Sequence, residues 1–356
     1  MTNPSLPPPP VYPPYPPPPL AVVTKLPRKW LGSKGGWLIF LVLTALWGGN
    51  LLFNALVLHT SGVSPNTMVL GGLGMTAGLL YTLAYRIRPH DGISPLRLIL
   101  AFIFGGLLAT ELAGWIELLI DAAPVGSIAG RDILVRTLAG FIEEDCKLLA
   151  VVVFARGLTK RTAINGLFLG GAVGLGFAAF EDMKYALSLF DYPTNGLSPI
   201  GGLVTITLGR DAVGPFEHPV FSALLAAALF AATRNGRFRI TPRVIGVYLF
   251  VAIAHGLVDA PYSIFLATLH NRAVSVALAL LIAAAAVITA DIIWLRYARR
   301  LRREDESAYA SASPVGSGAV GSSSASPPTG SPFQRVAVQP SAGDPSRTII
   351  AVFGSS

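Results

Sequence analysis

The stretch Phe141-Ile-Glu-Glu-Asp-Cys-Lys-Leu-Leu-Ala150 decides how this chain is read. Four ionisable side chains, Glu143, Glu144, Asp145 and Lys147, crowd into it. Apolar sequence lies on both sides, Ile133-Leu-Val135 before and Leu148-Leu-Ala-Val-Val-Val-Phe154 after. As a helix, residues 133–155 are long enough to cross a bilayer, which takes about 20 residues. The acids then fall near the middle of the membrane, where an ionised group costs several kcal/mol unless it is paired or hydrated. On a helix Glu143 and Lys147 are i,i+4 neighbours and Glu144 and Lys147 are i,i+3, so the lysine can neutralise either glutamate. At least one acid is left over, and a leftover acid at that depth points to function.

The rest of the composition agrees with a membrane setting. The 356 residues are 52% hydrophobic and 13% charged, half the charge of an ordinary soluble domain (about 25%). Mean hydropathy is +0.59. The apolar runs have helical rather than strand length, so the expected fold is an all-α polytopic membrane protein. A net charge of +8 raises the question of nucleic acid. The basic residues, however, lie in short loops between spans, where they set orientation, and no nucleic-acid partner is expected. The single cysteine, Cys146, cannot form an intrachain disulfide and reads as packing.

Eight spans are expected, at about 36–58, 67–85, 98–120, 133–155, 163–189, 216–233, 244–269 and 273–295. An extracytoplasmic stretch at 190–215 is expected to hold a short helix near 200–210, with Pro219 in the first turn of the sixth span. Lys and Arg gather before the first span, at 86–97, 156–161 and 234–243, and after the eighth span. The alternate loops are poor in them, with Arg131, Arg210 and Arg272 as exceptions. Every second loop is therefore expected to be cytoplasmic, as are both termini, in a multi-pass protein of the cell membrane. Residues 1–35 show no signal-peptide pattern; their proline runs, Pro7–Pro10 and Val11–Pro19, read as a disordered spacer. The membrane domain is expected at 36–298, and the Ser/Gly/Ala/Pro-rich tail at 304–356 reads as disordered.

Four spans carry polar groups at membrane depth. Besides the 141–150 stretch, the fifth holds Glu181 and Asp182 in a glycine-rich helix. The sixth opens with Glu217-His-Pro-Val-Phe-Ser222, and the seventh carries His255 and Asp259 at i,i+4, where the aspartate can orient the imidazole. Any one of these has a structural explanation; together they are costly enough to imply a site. His59, His90 and His270 fall in loops or at span ends and are expected to be solvated. Glu111 can pair with Arg136 or Lys147 or belong to the site, and Glu117, near the outer interface, needs no special role.

Two histidines and a carboxylate suit a catalytic zinc with one position left for water, and a further glutamate can take that water's proton. No His-Glu-x-x-His pair occurs, so the ligands come from different helices. Ser222 lies one turn from His218 but lacks a Gly-x-Ser-x-Gly context.

These residues resemble the PrsW family of intramembrane proteases, relatives of the CAAX prenyl endopeptidase (ABI) group. The family's Glu-Glu-x-x-Lys corresponds to Glu143, Glu144 and Lys147, and its Phe-x-x-x-Glu to Phe177 and Glu181. The histidine opening its next span corresponds to His218, and its later His-x-x-x-Asn/Asp to His255 and Asp259. Asp182 and Asp259 depart from the usual asparagines. The resemblance covers about 95–270 and implies an endopeptidase that cuts single-span membrane proteins within the lipid bilayer, an anti-sigma factor in the best-known case. The expectation is then a protease in which Glu143 or Glu144 is the general base and Lys147 tunes the pair. Glu181, His218 and His255 hold zinc, and Asp259 orients His255. Depth along the helices puts the polar groups between the bilayer centre and the outer face, so the cavity should open outward. The rival readings are an ion- or proton-coupled transporter, against which no internal repeat is seen, and a non-catalytic scaffold.

Overall fold

A computed structural model of the chain describes residues 34–60, 64–89, 92–124, 126–188 and 199–312. The proline-rich head, His90, residues 189–198 of the long loop and the tail beyond 312 lie outside the described residues. The chain divides into Met1–Ala310 and Ser311–Ser356, and the helical bundle belongs to the first.

The fold is all-α. Its helices are α1 (Gly35–Leu56), α2 (Pro65–Tyr81), α3 (Pro95–Leu100), α4 (Gly106–Asp121), α5 (Ile128–Phe154) and α6 (Ala163–Leu187). They continue with α7 (Pro199–Ala231), α8 (Pro242–Asp259), α9 (Pro261–Leu269) and α10 (Arg272–Ala312). A π-helical turn extends α2 (Thr82–Arg86), and another (Ala101–Gly105) joins α3 to α4 into one span. Among the described residues, seven helical segments are long and apolar enough to cross a membrane. The 27-residue α5 is long enough too, and only its charged side chains keep it from matching them in composition. Five starts have a Ser or Thr whose side chain accepts a backbone N–H three residues on: Ser64, Ser94, Ser127, Thr162 and Thr241. Such a cap satisfies one orphan donor of the first turn.

Helix α6 is the centre of the bundle, packed against α7, α2, α4 and α5. Its approach to α7 is set by glycine. A Cβ at Gly174 would lie 2.6 Å from Pro219 Cα, and one at Gly170 would lie 2.7 Å from Ala226 Cβ, both inside normal contact. The backbones therefore touch, as small residues allow in membrane helices. At the α5–α8 crossing, a Cβ on Gly140 would lie 2.7 Å from Gly256 N.

Three expectations need correction. The short helix at 200–210 and the sixth span are one 33-residue helix, α7, with Pro215 and Pro219 in its interior. The prolines stand four apart, so their missing N–H groups fall on one side and the rest of the ladder continues. The seventh span breaks at Pro261, which cannot donate back along α8, and α9 begins there. The helix of the eighth span does not stop near 295, and the first part of the tail expected to be disordered is helical: α10 runs through 304–312, with Arg300–Glu304 at 3.2 Å and Arg302–Glu306 at 3.0 Å as i,i+4 pairs.

Candidate metal centre

Helices α5, α6, α7 and α8 bring the polar groups together in the buried interior. On α5, Glu143, Glu144 and Lys147 are 5%, 0% and 0% exposed, and on α7 and α8 His218 and His255 are 2% and 1% exposed. Lys147 Nζ donates to Glu144 Oε1 at 2.9 Å and to Glu143 Oε2 at 3.1 Å, and lies 3.0 Å from His218 Nδ1. It also rests over the Phe177 ring, 3.9 Å from its centroid. An ammonium has no lone pair, so His218 Nδ1 accepts and its proton sits on Nε2. That nitrogen meets Glu181 Oε2 at 2.8 Å. Glu181 is also held by Arg210, whose Nε donates to Asp182 Oδ1 at 2.7 Å.

His255 is the second hub. Its Nδ1 lies 3.1 Å from Glu144 Oε1. Around its Nε2 stand Glu143 Oε2 at 3.3 Å, Glu217 Oε1 at 3.4 Å and Asp259 Oδ2 at 3.4 Å. The two imidazoles meet edge to face with centroids 5.1 Å apart.

The fold brings most of the residues singled out in the sequence to one place. Glu143, His218 and His255 form the one group among the described residues whose ligand atoms all lie within 4.8 Å of one another. Glu144 and Lys147 adjoin it, Glu181 touches His218 from outside that group, and Asp259 reaches His255 at Nε2 rather than Nδ1. Glu111 makes no ion pair with Arg136 or Lys147 among the described residues; those bases pair with Asp132 and with the two glutamates. Ser222 Oγ is buried with no hydrogen-bond partner, so no base activates it. Cys146 is free and sits in the apolar core. His59 and His270 are exposed.

Next to the group lies a cavity of about 500 Å³, with Glu143, Glu181, Asp259, Glu117 and Phe177 among its walls. Glu117, for which its depth alone suggests no special role, faces it, and one of its carboxylate oxygens is buried without a partner. Lys184, Tyr185 and Ser188 also line it. These residues mark the end of α6, as Glu117 marks the end of α4 and Asp259 that of α8. The cavity therefore lies toward the end of the bundle opposite the basic loops 86–97, 156–162 and 234–243.

Sequence reasoning misses two members of the site. Glu217 stands beside a histidine with a clearer chemical role, although a glutamate in an apolar span carries the same cost. Arg210 falls in an expected loop, and only the continuous α7 brings it beneath Glu181 and Asp182.

The family model for PrsW family intramembrane metalloproteases matches residues 94–289, more than half of the chain and all of the site. The chain belongs to the PrsW family. Neither the curated proteins nor the solved structures give a match. As a PrsW protein it is an intramembrane metalloprotease, a hydrolase acting on membrane proteins within the bilayer. The family implies a metal, and the PrsW donor set fits one: two imidazoles and a carboxylate, all buried, are the ligand types of a catalytic zinc site. Lys147 is the competitor, since an ion on His218 Nδ1 takes the lone pair that the ammonium now uses. Glu144 remains as the lysine's partner in that case.

Proposed function

We propose that this chain is a zinc-dependent intramembrane endopeptidase that cuts single-span membrane proteins, an anti-sigma factor being one candidate substrate. The observation that carries the reading is the convergence of Glu143, His218 and His255 beside a cavity large enough for an extended peptide segment. In this reading those three residues hold the metal, which supplies polarisation of a water and of the scissile carbonyl.

The remaining residues have roles that follow from their contacts. Glu144 accepts from His255 Nδ1 and so directs Nε2 inward; Glu181, steadied by Arg210, does the same for the far nitrogen of His218. A carboxylate behind each ligating histidine fixes tautomer and ring orientation. Glu144 has no exposed surface and shares one oxygen between Lys147 and His255, which disfavours it as the group that takes the water's proton. Asp259 suits that task better: it lines the cavity, its side chain is 23% exposed, and it stands 3.4 Å from His255 Nε2. It takes a proton from the attacking water and gives it to the leaving amine. Lys147 offsets the charge of Glu143 and Glu144 in a place where water cannot.

In the proposed topology the basic loops and both termini are cytoplasmic, so the cavity faces the outer half of the cell membrane and cleavage falls in the outer portion of the substrate span. Residues 36–298 are the protease domain, with the head and tail as cytoplasmic appendages. Kinship with the CAAX prenyl endopeptidase group is part of the same proposal. The test is a comparison of membrane proteomes from cells carrying wild-type protein and Glu143→Gln. A single-span protein shortened only with the wild type is the expected result; identical membrane proteomes would overturn the reading.

A further inference from the structure

Away from the metal centre, a second cavity of about 230 Å³ lies where α1, α2 and α7 meet. Its walls are mostly apolar, yet four polar side chains line it: Thr44, Trp47, Thr207 and Asp211. All four stand within helices long and apolar enough to cross a membrane. Two glycines a turn apart on α2 open the space. A Cβ at Gly71 would lie 3.3 Å from Trp47 Nε1 and 3.4 Å from Thr207 Oγ1. One at Gly74 would lie 3.8 Å from both Asp211 Oδ2 and Thr44 Oγ1.

These polar groups are not used by the fold. Other threonines in the spans close on the carbonyl four residues back: Thr76 on Gly72 O at 2.8 Å, Thr110 on Gly106 O at 2.9 Å, Thr205 on Gly201 O at 2.8 Å. Such back-bonding is the ordinary fate of a hydroxyl inside a helix. Thr207, two residues after Thr205 and 6% exposed, makes no hydrogen bond among the described residues, and neither does Thr44. Trp47, 9% exposed, has its Nε1 buried without an acceptor. Asp211 differs from the acids of the metal centre. Glu144 leans on Lys147 and Asp182 on Arg210, but Asp211 has no ion pair or hydrogen bond among the described residues. Its neighbour Arg210 is taken up by Glu181 and Asp182. A carboxylate inside a span calls for a counter-charge.

We propose that this cavity binds Na⁺, with Asp211, Thr207 and Thr44 as its protein ligands. A carboxylate and two hydroxyls are hard oxygen donors, suited to a hard cation. One negative charge balances one monovalent ion, so the filled site is neutral where net charge is costly. The cavity also admits waters, each of which takes about 30 Å³, and Trp47 Nε1 donates to one of them. Helices α1 and α2 precede the residues that match the PrsW family, 94–289, whereas Thr207 and Asp211 lie within them. The ion therefore braces the α1–α2 hairpin against the stretch of α7 that carries Arg210 to Glu181.

The test follows thermal unfolding of the full chain in detergent, in NaCl or in N-methylglucamine chloride, with total salt held constant. For a site half-filled at about 10 mM, raising Na⁺ from about 1 to about 300 mM should lift the melting temperature by about 4–8 °C. Asp211→Asn should abolish that dependence. In N-methylglucamine chloride it should melt at or above wild type, because an unpaired charge has left the span. Thr207→Val keeps the shape and removes a ligand; it should at least halve the shift, and it serves alone if the Asn variant does not fold. Equal melting of the wild type in the two salts overturns the proposal. So does a full Na⁺ shift kept by either folded variant, which would put the ion elsewhere, among the acids of the metal centre first.

Discussion

Replacing Lys147 by Met removes the lysine that pairs with both Glu143 and Glu144 while keeping most of the side-chain volume over Phe177. The lysine is 0% exposed, and its two ion pairs are 2.9 and 3.1 Å long. Breaking a buried pair by deleting one partner costs about 3–5 kcal/mol, because the other charge stays buried without compensation. For a domain of roughly this size, each kcal/mol moves the melting temperature by about 2–4 °C, so Lys147→Met should melt about 6–20 °C below wild type. Most of that loss comes from the stranded charge rather than the absent bond. The double variant Lys147→Met/Glu144→Gln should therefore recover about half of it or more, a coupling that additive, independent sites do not show. The assay is intrinsic tryptophan fluorescence during heating in detergent, on metal-free protein so that the ion does not replace the lysine. A single variant melting within about 2 °C of wild type, or a double variant less stable than the single, would refute the argument that the lysine neutralises a buried acid pair.

Glu143→Gln and Glu144→Gln should both abolish cleavage at normal protein level, yet differ in bound metal: the first loses it, and the second retains it about 10–100-fold more weakly, as elemental analysis after dialysis can separate. Gly140→Leu should prevent α5 from meeting α8 and lower both membrane yield and activity, whereas Gly246→Leu, with open space around it, should leave the yield unchanged on immunoblots. Single cysteines in a Cys146→Ser background should react with a membrane-impermeant reagent at positions 122 and 195 on intact cells but not at 237; labelling at 237 from outside reverses the orientation.

Legibility in the sequence varies by element. The spans are legible, because an apolar run of helix length has one common fate in a bilayer. The cluster on α5 is legible through Glu143, Glu144 and Lys147, whose i,i+3 and i,i+4 spacing fixes their contacts before any tertiary structure exists. Partnerships between helices are hidden. That His255 offers Nδ1 to Glu144 and Nε2 to Glu143 depends on the rotation of α8 about its axis, which packing at Gly140 and Gly256 decides. Arg210 is lost with the expectation that the sixth span begins at 216, after an extracytoplasmic stretch, when one helix runs through Pro215 and Pro219. In the protein interior the backbone has no water to turn to, and continuing the helix satisfies the most donors. Glu117 has only its depth to speak for it in the sequence, and its exposure to a cavity is a property of neighbours on other helices.

The glycine contact between α6 and α7 bears on how a substrate gets in. A transmembrane peptide must separate a pair of helices before its backbone can reach Glu143 and His255. Helices α6 and α7 touch backbone to backbone along Gly170 and Gly174, and each also carries a share of the centre, Glu181 on one and His218 on the other. Sliding them apart would dismantle the chemistry at the moment of entry. The doorway must therefore be cut elsewhere in the wall, and a disulfide engineered across the α6–α7 seam should lock nothing that turnover requires.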